Sequence, residues 1–121
     1  MSAWDIKPGE VQTILTTVQT KSEKLGKALT EENFTAIGEG IAWGGGLTAD
    51  VSAAVGQVMT EQGENLKVIQ NHIGAGTSGV ANATIAYNHG QYDMAATFQT
   101  EAIKAAESGD FQYFVDHGYQ G

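Results

Sequence analysis

Three glycines at positions 74, 76 and 79 have the spacing Gly-x-Gly-x-x-Gly, with which dinucleotide-binding folds cradle a pyrophosphate. Asp93 follows at about the distance where such folds place the acid that binds a ribose hydroxyl. That site also needs a strand before the glycines and a second strand that ends at the acid. The segment after the glycines is Ala-rich and helical instead, and too little chain remains for a parallel sheet. We therefore interpret the three glycines as small residues that allow two helices to cross closely, and we expect no cofactor.

The other residues that could do chemistry do not form a recognisable set. His72, His89 and His117 lack the spacings of metal ligands. Glu61 and Glu64 belong to a generally acidic helix face, which does not indicate catalysis by paired carboxylates. The chain has no Cys, which excludes disulfides, a thiolate zinc site and a Cys nucleophile. The sequence therefore predicts a protein that is not an enzyme and holds no metal.

Length and charge narrow the remaining classes of protein. A chain of 121 residues allows one domain. The net charge of -8 and the absence of Arg argue against binding to nucleic acid or to anionic membranes. The N-terminus lacks the basic and apolar regions of a general secretory signal. No apolar run is long enough for a transmembrane helix.

The first amphipathic segment covers residues 9–41, after a helix start near Pro8. Its apolar residues alternate spacings of three and four, which is the heptad rhythm of packed helices. Thr30 resembles an N-cap, so the helix is expected to kink or restart there. The apolar positions are Val11, Leu15, Val18, Leu25, Leu29, Phe34, Ile37 and Ile41.

The second segment begins near Thr48, a predicted N-cap, and keeps the same rhythm for more than six heptads. That continuity predicts one long helix with soft points at residues 74–79 and 88–90. Whether the glycines of residues 74–79 break it is left open by the pattern. Its apolar positions include Val51, Val55, Val58, Leu66, Ile69, Ile73, Val80, Tyr87, Met94 and Phe98.

Trp43, Gly44 and Gly45 lie between these two segments, and the glycines permit a tight turn near residues 43–47. Trp43 is expected to cover the end of a core there. The prediction is an all-α fold: an antiparallel helical hairpin over residues 1–108, which dimerises into a four-helix bundle. Residues 109–121 form a short aromatic tail that either frays or folds back.

A Trp-x-Gly turn near residue 40, between heptad-patterned helices of a small acidic protein, resembles the WXG family of ESX, or type VII, secretion substrates. The resemblance covers roughly residues 8–105. It implies export as a homodimer or heterodimer, with itself or a paralogous WXG-like protein as partner, and recognition by the type VII secretion ATPase. Location in the cytoplasm before export and outside the cell afterwards is implied as well.

The same family carries a secretion signal, Tyr-x-x-x-Asp/Glu followed by apolar residues, at the far end of its second helix. Tyr87, Met94 and Phe98 fit that pattern, and Gln91 stands where the acid is expected. The resemblance therefore implies that these four residues form the face that the secretion machinery recognises. Trp4-Asp5-Ile6-x-Pro8 and the stretch around Tyr87 also resemble an uncharacterised actinobacterial group of similar size.

The residues allow a second hypothesis from a different class. An intracellular helical adaptor or chaperone-like module could hold a partner with its aromatic tail, from Phe111 to Tyr119. Neither the choice between homodimer and heterodimer nor a role after export can be read from the heptads.

Overall fold

The computed structural model describes residues 5–119, and within that range the chain is all-helical, as predicted, with no strand. Trp4 lies outside the described residues. No helix in the described range is long and apolar enough to cross a membrane. In chain order the elements are α1 (Pro8–Ala28), α2 (Glu31–Ile41), a 3-10 turn (Ala42–Leu47), α3 (Ala49–Asn88), α4 (Tyr92–Ser108) and α5 (Gln112–His117).

The first predicted helix is two helices, and the restart expected at Thr30 is confirmed. The backbone N–H of Asn33 donates to the Thr30 hydroxyl oxygen at 3.3 Å, which caps α2. The Asn33 side chain also donates to the carbonyl of Lys27 at 3.0 Å, so it ties the start of α2 to the end of α1.

Helix α3 runs without interruption through residues 74–79, so the glycines do not break it. Its 40 residues correspond to a length of about 60 Å. Thr48 occupies the N-cap position, but its side chain does not cap the helix. Its hydroxyl instead donates to the carbonyl of Gly45 at 3.5 Å.

The second predicted helix ends at the soft point expected at residues 88–90, and a separate helix resumes at Tyr92. The apolar stripe therefore does not continue on one helix to residue 98. Helix α3 stops at Asn88, and Gly90 has a φ of +74°, which lies in the left-handed region that favours glycine. The N–H of Gln91 donates back to the carbonyl of Ala86 at 2.9 Å. Helix α4 then packs against α3, because Ala102 of α4 lies against Gly79 of α3.

The core of the described residues lies entirely in the C-terminal half of the chain. Helices α1 and α2 and the 3-10 turn contain no buried residue. The aromatic tail folds back onto α3 and α4 and contributes to this core, which answers the question that its sequence left open. The buried apolar residues are Ala75, Ala83, Ala86, Ala95, Phe98, Ala105 and Phe114.

Candidate interaction surface

The glycines at 74, 76 and 79 lie inside one continuous helix, without the strand and loop that a dinucleotide site needs. A Cβ on Gly79 would overlap the Cβ of Ala102, so α3 and α4 cross closely at this point. A Cβ on Gly74 would lie 3.1 Å from the ring of Phe111 in the tail. Gly76 faces open space. The interpretation as small residues at a helix crossing is therefore confirmed at Gly79.

Each of the three histidines makes a hydrogen bond or a ring contact with another residue of the chain. His72 shares a 2.8 Å hydrogen bond with the carbonyl of Val68, one turn earlier on α3. His89 packs edge-on against Tyr119, and His117 stacks on Tyr113. Within residues 5–119, no group of three or more His, Asp or Glu side chains is placed to hold a metal ion.

The predicted turn lies where it was expected, between α2 and α3. Gly45 has a φ of +58°, and a Cβ on Gly44 would lie 2.6 Å from the Thr48 methyl group. Trp43, however, is 86% exposed, and Leu47 beside it is 94% exposed. The expectation that Trp43 covers the end of a core is wrong for the single chain, because no core extends to this end of the helices.

Three of the four residues predicted as a recognition face surround the break between α3 and α4. Tyr87 is half-buried near the end of α3, and its ring packs edge-on against Tyr92 at 5.1 Å. Gln91 lies in the break and is exposed, and Met94 is 39% exposed in the first turn of α4. The turn at Gly90 brings these side chains to one end of the molecule.

Phe98 does not belong to that surface. Its exposed fraction is 0%, and it is the only large side chain of residues 5–119 that is fully buried. The rings of Tyr113, Phe114 and Tyr119 lie 5.9–6.0 Å from its ring. The prediction that Phe98 lies on an exposed stripe with Tyr87 and Met94 is wrong, because α4 turns back and the tail covers its inner side.

A polar latch that the sequence interpretation missed holds the tail in place. Asn82 is buried on α3, where its Nδ2 donates to the carbonyl of Ser78 at 2.8 Å. Its Oδ1 accepts a 2.6 Å hydrogen bond from the backbone N–H of Tyr119. The Tyr119 hydroxyl donates to the Gln91 side chain. The one sign of this latch in the sequence is the polar Asn82 among the small residues of α3.

We expect Asn82→Ala to loosen the tail, since the N–H of Tyr119 then loses its acceptor. The free energy of unfolding should fall by about 1–2 kcal/mol. Amide hydrogen exchange at Tyr119 should accelerate, and NMR would measure it residue by residue. Asn65→Ala is the matched control, because Asn65 is exposed on the same helix and bonds only to Gln62. Equal exchange at Tyr119 in both variants would show that the latch does not hold the tail.

An apolar surface remains uncovered between residues 14 and 69, before the first residue of the core. Within α1 and within α3 its members are spaced by 4, 7 or 11 residues, so each set follows one side of its helix. Their exposed fractions run from 37% to 63%. We call this set the uncovered apolar face; it consists of Ile14, Val18, Leu25, Ile37, Val51, Val58 and Ile69.

Three contacts show how α1 and α2 lie along α3. A cleft of about 360 Å³ joins the start of α1, at Pro8 and Leu15, to the end of α3 at Ile85. Farther along, Val18 and Leu25 line a groove of about 250 Å³ with Ile73. The Ser52 hydroxyl donates to the carbonyl of Gly38 at 3.5 Å. Later residues of α1 and α2 therefore contact earlier residues of α3.

Comparison with known proteins identifies a family. No curated protein and no solved structure matches the chain. Residues 1–112 match the family of unknown function DUF6507. Since the match spans nearly the whole chain, the protein belongs to DUF6507.

Proposed function

We propose that this protein is a non-enzymatic substrate or partner protein of a type VII secretion system. In this proposal α1 and α2 form an antiparallel hairpin with α3, and two such hairpins pair as a four-helix bundle. In this proposal the type VII system carries the chain out of the cell. Its partner is a second copy or a paralogous WXG-like protein.

One observation carries the proposal. A Trp-Gly-Gly turn joins two long helical segments, and its Trp43 is 86% exposed at the far end from the core. A large apolar ring and an uncovered apolar face on the same half of the chain need a partner, because exposed apolar surface of this extent is unfavourable in water.

The end of the molecule around Gly90 supports the second part of the proposal. Tyr87, Gln91 and Met94 present a mixed aromatic and polar surface there, with Phe98 supporting it from the core. We propose this surface as the address that the secretion ATPase recognises. Gln91 stands where the usual secretion signal has an acid. The proposal therefore allows the dimer to be exported through the secretion signal of its partner.

The export reading is tested by immunoblotting the culture supernatant of the organism that encodes the chain, with and without its type VII ATPase. We expect the protein in the supernatant only when the ATPase is present. Trp43→Ala and Tyr87→Ala should each reduce export about tenfold or more, since each removes a recognition group of roughly 1.4 kcal/mol or greater. Leu47→Ala is the control for Trp43→Ala, because Leu47 is a large apolar residue that is also highly exposed in the same turn.

Gln91→Glu should raise export, because it restores the acid and still accepts the Tyr119 hydroxyl. Protein confined to the cells of both strains would contradict export and favour the intracellular adaptor. That alternative uses the tail, whose Phe114 is already buried in the core. A partner protein that binds through the tail would therefore have to displace α5 from the core.

A further inference from the structure

Thr84 of α3 carries a buried hydroxyl that the chain leaves unpaired. Its exposed fraction is 9%, and the hydroxyl forms no hydrogen bond with any residue from 5 to 119. Thr77 and Thr97, in contrast, each donate to the carbonyl four residues earlier on their helices. A buried polar group without a partner is unfavourable, so the Thr84 hydroxyl calls for a hydrogen-bonding group from outside the chain.

The Thr84 hydroxyl can be reached from outside. In the described part of the chain, no side-chain oxygen or nitrogen that is sealed from solvent lacks a hydrogen-bond partner. The unpaired oxygen of Thr84 is therefore accessible, although the residue as a whole is buried. Thr84 lines two clefts, one between α1 and α3 and the other between α3 and α4, and either could give this access.

The cleft between α1 and α3 has apolar walls on both sides. Val11 and Leu15 of α1 face Ala81 and Ile85 of α3, and all four are partly buried. Ala81, Thr84 and Ile85 are spaced by three and four residues, so they share one side of α3. The volume of about 360 Å³ lies at the lower end of the range for sites that bind small molecules.

Further polar side chains meet at the rim of this cleft. Gln12, Asn88 and His89 line it and are exposed. The cleft between α3 and α4, of about 380 Å³, offers Tyr87 and Gln99 as the other polar side chains among its described lining residues. An apolar cavity with several convergent polar groups is the usual form of a small-molecule site, and the cleft between α1 and α3 fits that form better.

The charge of this cleft restricts what it can bind. Of the described residues that line it, none is Lys, Asp or Glu. A bound anion would find no ammonium group there, and the net charge of -8 would repel it. A bound cation would find no carboxylate. Because a charge that leaves water without a partner is costly, the cleft favours a neutral ligand.

We infer that the cleft between α1 and α3 binds a small neutral amphiphile with an aliphatic body and a hydroxyl or amide group. The aliphatic body lies between Leu15 and Ile85, and the polar group completes the hydrogen bonding of Thr84. The side-chain amides of Gln12 and Asn88 both donate and accept, so alcohols and amides both suit the rim. This inference is independent of the proposed function.

The test is an NMR titration of the full ¹⁵N-labelled chain with 1-octanol as the probe. The amide signals of Leu15, Thr84 and Ile85 should shift and saturate, with a dissociation constant on the order of 1 mM, which a ligand of this size can reach. Octanoate has the same chain length but carries a carboxylate. It should bind at least about tenfold more weakly, since the cleft offers its charge no partner.

Thr84→Val should weaken 1-octanol binding about fivefold, because it removes the hydroxyl and keeps nearly the same shape. The urea midpoint of this variant should not fall, since the hydroxyl has no partner within the described chain. Thr84→Ser, which keeps a hydroxyl, should bind within about twofold of wild type. Thr77→Val is the matched control: it makes the same substitution two turns earlier on α3, where the hydroxyl bonds to Ile73. Its affinity for 1-octanol should also stay within about twofold of wild type.

Several results would overturn the inference. Wild-type affinity of Thr84→Val for 1-octanol would show that the hydroxyl takes no part in binding. Saturable shifts at Ala95 and Ile103 alone would place the ligand between α3 and α4. Shifts that do not saturate, or that spread over the exposed Val18 and Val58, would show adsorption to the uncovered apolar face and no defined site. Equal affinity for octanoate would contradict the selection of neutral ligands.

Discussion

Phe98→Ala should lower the free energy of unfolding by about 3–5 kcal/mol, the range for truncating a fully buried aromatic ring. Phe98 has no exposed surface, and three aromatic rings of the tail surround it. The other buried apolar residues, apart from Phe114, are alanines. The rings of Tyr113 and Phe114 already pack on each other and the remaining buried apolar neighbours are alanines, so little side-chain volume is available to fill the cavity.

Urea denaturation followed by far-UV circular dichroism would measure this change, at one fixed protein concentration because association shifts apparent stability. Near-UV circular dichroism should also lose its tyrosine signal as the tail detaches. Ile103→Ala is the matched control, because Ile103 is a large apolar residue of α4 that is 64% exposed. That control should change stability by about 0.5 kcal/mol or less. Equal losses in the two variants would contradict the role of Phe98 as the centre of the core.

Gly79→Ala and Gly76→Ala should change stability in opposite directions, although they make the same substitution three residues apart on α3. A methyl group on Gly79 would overlap the Cβ of Ala102 and force α4 away, at a cost of about 1–3 kcal/mol. A methyl group on Gly76 would meet no atom within 4 Å. Gly76→Ala should therefore stabilise the helix by up to about 1 kcal/mol through helix propensity.

Chemical denaturation of both variants gives the sign of each effect directly. Adding Ala102→Gly to Gly79→Ala should recover part of the loss, because the two methyl groups compete for one space. If Gly79→Ala is as stable as Gly76→Ala, the close crossing of α3 and α4 is not present in solution.

Local residue types explain the part of the fold that was predictable. Thr30 predicted the start of α2, since a threonine hydroxyl can accept a hydrogen bond from a free backbone N–H in the first turn of a helix. Thr48 occupies the same position before α3 and makes no such bond. The glycines after Trp43 predicted the turn, because positive φ is available to them at little steric cost. The heptad rhythm predicted helix on both sides.

The same rhythm could not decide whether the soft point at residues 88–90 breaks the helix. Spacings of three and four continue through Tyr87, Gln91, Met94 and Phe98, of which Gln91 alone is polar, whether one helix or two carries them. One glycine costs only about 1 kcal/mol in a helix interior, so its presence does not decide between the two. The difference comes from packing, since turning back lets α4 bury Phe98 against α3 and the tail.

The candidate site divides along the same line. The helices, the turn after Trp43 and the absence of catalytic motifs could be predicted, because each depends on residues within about one helical turn of one another. The exposure of Trp43, the burial of Phe98 and the Asn82 latch depend on residues up to 37 positions apart. Such contacts are set by how the helices pack, because burial is a property of the assembled helices and no local pattern specifies which apolar face another helix will cover.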